Sequence, residues 1–101
     1  MSRWVAIVTM AVLVAGCNLG SPDDDATGEE IYTQLCARCH GADLGGGVGP
    51  ALGPGTNAAL EDDEYLEFTV VNGRGRMPSF SSLDEAQVDR LVAYMREVQG
   101  E

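Results

Sequence analysis

The segment Cys36-Ala37-Arg38-Cys39-His40 constrains the fold of this 101-residue chain more than any other feature. It places two of the three cysteines three residues apart and ends on the only histidine. Thiol and imidazole side chains at this spacing can ligate a small metal, form a local disulfide or redox pair, or attach a larger group. Under each alternative, the remaining chain has to fold around this segment.

The first sixteen residues predict a signal peptide rather than a part of the folded domain. Arg3 is the only charge in this segment, and residues 4–16 are almost wholly apolar. Thirteen helical residues reach roughly 20 Å, which is shorter than the roughly 30 Å hydrocarbon core of a membrane. A short apolar run behind a positive charge is typical of a cleaved export signal; an uncleaved anchor helix is the alternative.

The sequence that ends at Cys17 resembles the lipobox of bacterial lipoproteins, because small residues directly precede the cysteine in Leu-Val-Ala-Gly-Cys. The resemblance implies cleavage before Cys17, lipid attachment there, and an exported protein in the bacterial cell envelope that faces the periplasm or the cell exterior. Several acyl chains would hold it on the membrane, since one chain binds only marginally. An ordinary signal with an incidental cysteine is the alternative, and it leaves a free thiol in an oxidising compartment.

Composition divides the rest of the chain into a tether and one small domain. Residues 17–27 are polar, with three consecutive aspartates, and predict a lipid-anchored flexible tether. Residues 28–101 predict a domain so small that it needs a disulfide, a metal or a cofactor for stability. The 16 acidic residues outnumber six arginines, and lysine is absent, so the charge disfavours nucleic acid as a partner and favours a basic one.

The polar and apolar patterns predict an all-α domain with three or more short helices joined by Gly- and Pro-rich loops. Helices are expected over residues 28–39, over 61–71, and from Ser82 to Gly100. Two capping-box patterns mark helix starts, Thr27 with Glu30 and Ser82 with Glu85. Residues 41–55 hold seven glycines and two prolines, which predicts a loop long enough to wrap a bound group.

Zinc and thiol chemistry fit the central motif poorly. A structural zinc site needs four protein ligands, and with Cys17 lipidated a carboxylate would have to supply the fourth. A redox pair of the thioredoxin kind expects a βαβ setting, whereas no strand is predicted here. A disulfide between Cys36 and Cys39 would close too small a loop to stabilise the whole domain.

Covalent haem attachment, for which C-x-x-C-H is the known pattern, fits the motif better. Residues three apart in a helical turn point to one side, so both thiols can reach the two vinyl groups on one porphyrin edge. The imidazole of His40 can then bind the iron. A haem would also give short helices a large apolar disc to pack on. One motif and one histidine predict a single haem c and exclude bis-histidine ligation within the chain.

Met77 is the best candidate for the second axial ligand. Met1 and Met10 lie in the predicted signal peptide, and Met95 lies on the apolar face of the last helix, where packing explains it. Met77 stands in a glycine-rich loop and precedes Pro78, which favours an extended backbone over a helix. The alternative is a loop methionine that fills a gap in the core.

Residues 28–98 resemble a small class I cytochrome c. The resemblance rests on the CxxCH motif, on Gly-x-Gly-x-Met-Pro-x-Phe over residues 73–80, and on Leu-Val-Ala-Tyr-Met in the last helix. It implies the cytochrome c fold, in which the first and last helices cross closely beside one covalent haem. Pro50 matches the family proline whose carbonyl accepts a hydrogen bond from the proximal imidazole. The positions that match the helix-crossing contacts are Gly28, Tyr32, Leu91 and Tyr94.

Together these features predict an electron carrier rather than an enzyme. A haem whose axial positions are filled by His40 and Met77 exchanges single electrons with a redox donor and acceptor, and it has no site for a substrate. We expect a membrane-tethered carrier that acts as a monomer or within a larger complex. The alternatives are a haem subunit of a dehydrogenase or reductase, and a protein whose open iron binds peroxide or NO. Three arginines are candidates for the haem edge or for a partner's acidic patch, or else they only solubilise the surface: Arg38, Arg74 and Arg76.

Overall fold

The computed structural model describes residues 19–100, and this part of the chain is helical. Its helices are α1 (Gly28–Leu35), α2 (Ala37–His40), α3 (Asn57–Leu60), α4 (Asp63–Asn72) and α5 (Glu85–Gln99). Within residues 19–100, extended pairing is limited to a single bridge between Arg74 and Met77. The predicted all-α class is therefore confirmed.

Helix α1 begins where the sequence predicts. The Thr27 hydroxyl accepts a hydrogen bond from the backbone N–H of Glu30, and the Glu30 carboxylate accepts one from the N–H of Thr27, both at 3.1 Å. The helix predicted over residues 28–39 is, however, interrupted at Cys36, where φ is −113°. The first cysteine of the motif therefore lies between two helices instead of inside one.

Helix α5 begins two residues later than predicted, and the predicted capping box of Ser82 with Glu85 is wrong. The capping box consists of Asp84 and Gln87, whose side chains accept hydrogen bonds from each other's backbone N–H at 2.8 and 2.9 Å. Leu83 is buried in the turn that precedes the helix. The N–H of Leu83 donates to the carbonyl oxygen of Phe80 at 3.1 Å, so Ser82 lies within a turn and the helix is capped two residues later.

Helices α1 and α5 cross in close contact, as the resemblance implied. A side chain on Gly28 would place its Cβ 2.1 Å from the carbonyl oxygen of Arg90 and 2.8 Å from the Cβ of Tyr94. Tyr32 and Leu91 are fully buried, and the ring centres of Tyr32 and Tyr94 are 5.6 Å apart. The helices approach this closely because residue 28 has no side chain.

The core of the described residues is built from α1, α4, α5 and the loop after α2. Met95 is 4 % exposed and packs in this core, as predicted. Leu44 reaches the core from the loop and is fully buried, although its φ of 62° lies in the left-handed region that disfavours side chains. The other buried apolar residues include Ile31, Leu35, Leu66, Val70, Val88 and Val92.

The chain that precedes α1 lies against the domain. The guanidinium of Arg90 donates to the carbonyl oxygens of Ala26 at 3.0 Å and Asp24 at 2.7 Å. Gln34 Nε2 donates to the carbonyl oxygen of Leu19 at 2.9 Å. The segment predicted as a tether therefore contacts α1 and α5 from Leu19 onward.

None of the helices between residues 19 and 100 is long and apolar enough to cross a membrane. The predicted signal peptide, residues 1–16, and the predicted lipid attachment site Cys17 lie outside the described residues.

Candidate haem site

His40 is the last residue of α2, and its side chain is buried with 9 % exposed. Its Nδ1 lies 2.7 Å from the carbonyl oxygen of Pro50. A carbonyl can only accept a hydrogen bond, so this contact requires the imidazole proton to be on Nδ1. Within the described part of the chain, no side chain or backbone group bonds Nε2. In the neutral ring Nε2 then carries no proton, so it is the nitrogen that can bind a metal.

The glycine-rich loop closes tightly over the end of α2. The N–H of Gly46 donates to the carbonyl oxygen of His40 at 2.7 Å, and the N–H of Gly49 donates to that of Cys39 at 2.7 Å. A Cβ on Gly49 would lie 3.0 Å from Cε1 and 3.1 Å from Nδ1 of the His40 ring. These contacts hold the imidazole between its own helix and the backbone that leads into Pro50.

Cys36 and Cys39 are not joined in a disulfide. Cys36 is buried between α1 and α2, and Cys39 is half-buried within α2. Burial, with a smaller contribution from Cys39, raises the pKa of Cys36 to about 12, so its thiol is neutral at physiological pH. Among residues 19–100, no group of three His, Cys, Asp or Glu side chains is arranged to hold a metal ion.

Met77 follows α4 in a tight turn that its own backbone stabilises. The N–H of Met77 donates to the carbonyl oxygen of Arg74 at 2.9 Å, and the N–H of Arg74 donates back at 3.3 Å. Gly73, with φ of 74°, has to be glycine because a Cβ there would lie 2.6 Å from the carbonyl oxygen of Met77. The Met77 side chain is half-buried against the core.

The three candidate arginines are all exposed, and they differ in their contacts. Arg74 donates a hydrogen bond to the hydroxyl of Tyr65 on α4, which ties the Met77 turn to that helix. No sequence pattern indicates this role of Tyr65, because a contact between residues nine apart leaves no periodic signal. Arg74 is therefore a structural contact of the turn, in addition to any part it has at a haem edge.

The residues of the site fit haem c. Their donor set is one imidazole nitrogen, one thioether sulfur and two unpaired thiols, and imidazole with thioether is the ligand pair found in cytochromes c. Three further features agree with this fit: the Nδ1 contact that leaves Nε2 available, the loop packed on the ring, and the fixed turn at Met77.

Comparison with known proteins places the chain in a family. The sequence profile of the family described as "Cytochrome C oxidase, cbb3-type, subunit III" matches residues 23–95. Cytochrome c-551 of Bacillus subtilis is 35 % identical over 81 residues, which cover 68 % of this chain and 70 % of that protein.

A second relative is much longer than this chain. Dihydro-heme d1 dehydrogenase of Pseudomonas aeruginosa is 40 % identical over 74 residues, which are 70 % of this chain and only 15 % of that protein. A solved structure of dihydro-heme d1 dehydrogenase superposes with a TM-score of 0.66 at 37 % identity, over 75 % of this chain and 17 % of that one. The likeness thus concerns only a small part of that protein, and the matched part has the fold seen here. This chain belongs to the cytochrome c family, whose members carry covalently bound haem c.

Proposed function

We propose that this chain is an exported monohaem cytochrome c that carries single electrons between two redox proteins. In this proposal Cys36 and Cys39 hold the haem through thioether bonds, His40 is the proximal iron ligand, and Met77 is the distal ligand. The bound haem would supply an iron that changes its oxidation state by one electron. The chain's own residues orient the ligands and limit access to the iron.

The observation that carries the proposal is the contact between His40 Nδ1 and the Pro50 carbonyl oxygen. It fixes both the tautomer and the orientation of the imidazole, and it makes Nε2 a stronger donor to iron. A buried histidine with a purely structural role has no need of an available second nitrogen. In the cytochrome c family, the iron of haem c is the metal that such a nitrogen binds.

Met77 is suited to complete the ligand set because its backbone is held on both sides. The paired hydrogen bonds with Arg74 fix the turn before it, and Pro78 restricts the backbone after it. A thioether ligand favours the reduced iron and raises the potential. Two protein ligands leave no coordination position for a substrate, so the proposal assigns no catalytic residue.

We further propose that residues 1–16 are removed on export and that Cys17 is lipidated, which tethers the domain to the outer face of a bacterial membrane. The lipobox-like sequence supports lipidation. The contacts that begin at Leu19 leave two residues between the described chain and the proposed lipid, so the domain of residues 28–101 would lie close to the lipid surface.

Haem staining of a denaturing gel tests the cofactor, because only a thioether-linked haem stays with the unfolded chain. We expect a stained band for the wild type and none for Cys36→Ala/Cys39→Ala. In the oxidised protein we expect the weak long-wavelength absorption band that marks Met-ligated ferric haem c, and its loss in Met77→Ala. Met95→Leu is the matched control, since Met95 is a core methionine, and it should keep the band. A wild type without the band would refute ligation by Met77 and favour an open iron that binds peroxide or NO.

A role as the haem subunit of a larger enzyme is the second candidate. It is favoured by the family description as an oxidase subunit and by the match to one domain of a dehydrogenase. Mild detergent extraction of the full-length protein from its native membrane separates the candidates. A free carrier elutes at the size of one chain, whereas a subunit elutes with stoichiometric partner proteins.

A further inference from the structure

Two side chains at the end of α5 contact the loop that contains Pro50. Gln99 is 8 % exposed, and its Nε2 donates to the carbonyl oxygen of Leu52 at 2.8 Å. Arg96, one turn earlier, donates to Gln99 Oε1 at 2.7 Å. The last turn of the chain's last helix therefore reaches a backbone group two residues from the carbonyl that bonds His40.

The arginine determines which way the Gln99 amide points. A guanidinium has only donors, so the atom of Gln99 that faces Arg96 has to be the oxygen. The amide NH₂ group then has to face Leu52, where the carbonyl oxygen accepts its hydrogen bond. Arg96 is fixed in turn by Asp63, at 2.8 Å, and by the carbonyl oxygens of Ala58 and Glu61.

Leu52 holds the segment that contains Pro50 on its C-terminal side. Its N–H donates to the carbonyl oxygen of Leu44 at 2.8 Å, and its own carbonyl oxygen accepts from Gln99. On its N-terminal side, the N–H of Gly49 donates to the carbonyl oxygen of Cys39. Pro50 has no N–H and is exposed, so its carbonyl is aimed at His40 by these neighbours.

We propose that Gln99, oriented by Arg96, is a positioning residue for the proximal histidine. It holds Leu52 so that the Pro50 carbonyl stays within hydrogen-bond distance of His40 Nδ1. The inference rests on the proposed roles of His40 and Pro50, and it adds to them a polar connection from α5. Through this connection the C-terminal helix sets the donor strength of the iron ligand and thereby the reduction potential.

The direction of the effect follows from the hydrogen bond. A strong bond at Nδ1 makes the imidazole more electron-rich and stabilises ferric iron. Removal of the Gln99 amide loosens the Pro50 segment and weakens that bond, so the reduction potential rises. It also leaves the ring N–H of His40 less protected from exchange with solvent.

The test compares Gln99→Met with Gln87→Met in the haem-loaded full chain. Gln87 is the matched control because it lies on the same helix, is 4 % exposed, and donates to a backbone carbonyl, that of Asp23, at 3.3 Å. Both variants lose a buried amide, but Gln87 is bonded to the segment before α1 and to Asp84, not to the Pro50 loop. We expect a higher reduction potential and faster exchange of the His40 ring proton in reduced Gln99→Met, and wild-type values for both in Gln87→Met.

Equal potentials and exchange rates in the two variants would overturn the proposal. If Gln99→Met does not fold, Gln99→Glu serves instead, since its carboxylate keeps the Arg96 contact but has no hydrogen for the Leu52 carbonyl. Faster ring-proton exchange in Gln99→Glu supports the proposal, and an unchanged rate refutes it. If the wild type holds haem but the variants do not differ as expected in potential and ring-proton exchange, only this inference is refuted. A wild type without covalent haem refutes the proposed function.

Discussion

At the scale of one residue, the buried side chain of Tyr32 connects the core to the backbone next to His40. It is fully buried, and its hydroxyl donates to the carbonyl oxygen of Gly41, the residue after His40, at 2.6 Å. Burial raises the pKa of Tyr32 to about 12 from an ordinary value of 10.0. Since the folded protein holds the proton more tightly than the unfolded chain, Tyr32's contribution to stability is complete below pH 10 and is lost as the pH rises to about 12.

We therefore expect Tyr32→Phe to lower the free energy of unfolding at pH 7 by about 0.5–1.5 kcal/mol, because a hydrogen bond is lost. Between pH 10 and 12 the variant should lose stability less steeply than the wild type. Urea unfolding of both proteins across this range measures the difference. Parallel pH profiles would show that folding does not raise the pKa of Tyr32.

At the scale of helices, the fold depends on the close crossing of α1 and α5. We expect Gly28→Ala to force these helices apart, because the new Cβ would lie 2.1 Å from a backbone carbonyl oxygen that cannot move alone. Overpacking of this kind costs about 1–3 kcal/mol or more. Glu29→Ala is the control, since residue 29 is exposed on the same helix. Thermal unfolding should show a clearly lower melting temperature for Gly28→Ala alone, and equal melting temperatures would contradict a tight crossing.

The same helices show which parts of the structure a sequence can predict. The start of α1 and the burial of Met95 were predictable because caps and apolar periodicity are local signals. The start of α5 was missed although its signal is local, because two overlapping capping-box patterns, Ser82 with Glu85 and Asp84 with Gln87, compete there. The break at Cys36 and the short helix α3 interrupt segments without a distinct local pattern. At the site, the motif and the loop before Pro78 pointed to His40 and Met77. The contact from Gln99 to Leu52 spans 47 residues and has no local pattern at all.

For the whole molecule, the proposed lipid at Cys17 would make the length of the tether decide how far the carrier can move from the membrane. Eleven residues, from Cys17 to Thr27, span up to about 36–40 Å when extended, whereas the two residues before Leu19 span only about 7 Å. The bonds from Arg90 to Ala26 and Asp24, with that from Gln34 to Leu19, favour the short tether. If Cys17 carries lipid as proposed, a carrier held in this way would deliver electrons to partners in or on the same membrane rather than to distant ones.

Neutron reflectometry of the lipidated full chain on a supported bilayer measures this geometry. We expect the wild-type domain to form a layer against the lipid headgroups. Arg90→Met/Gln34→Met should widen the gap, because the segment before α1 then loses its bonds at Ala26, Asp24 and Leu19. Arg76→Met is the matched control, since Arg76 is an exposed loop arginine outside this contact. Mass spectrometry first establishes that Cys17 carries lipid, so that a failed anchor is not mistaken for a long tether. A wild-type gap as wide as that of Arg90→Met/Gln34→Met would show that the contacts at Leu19, Asp24 and Ala26 do not hold the domain to the membrane, and electron transfer would then extend over the full reach of the tether.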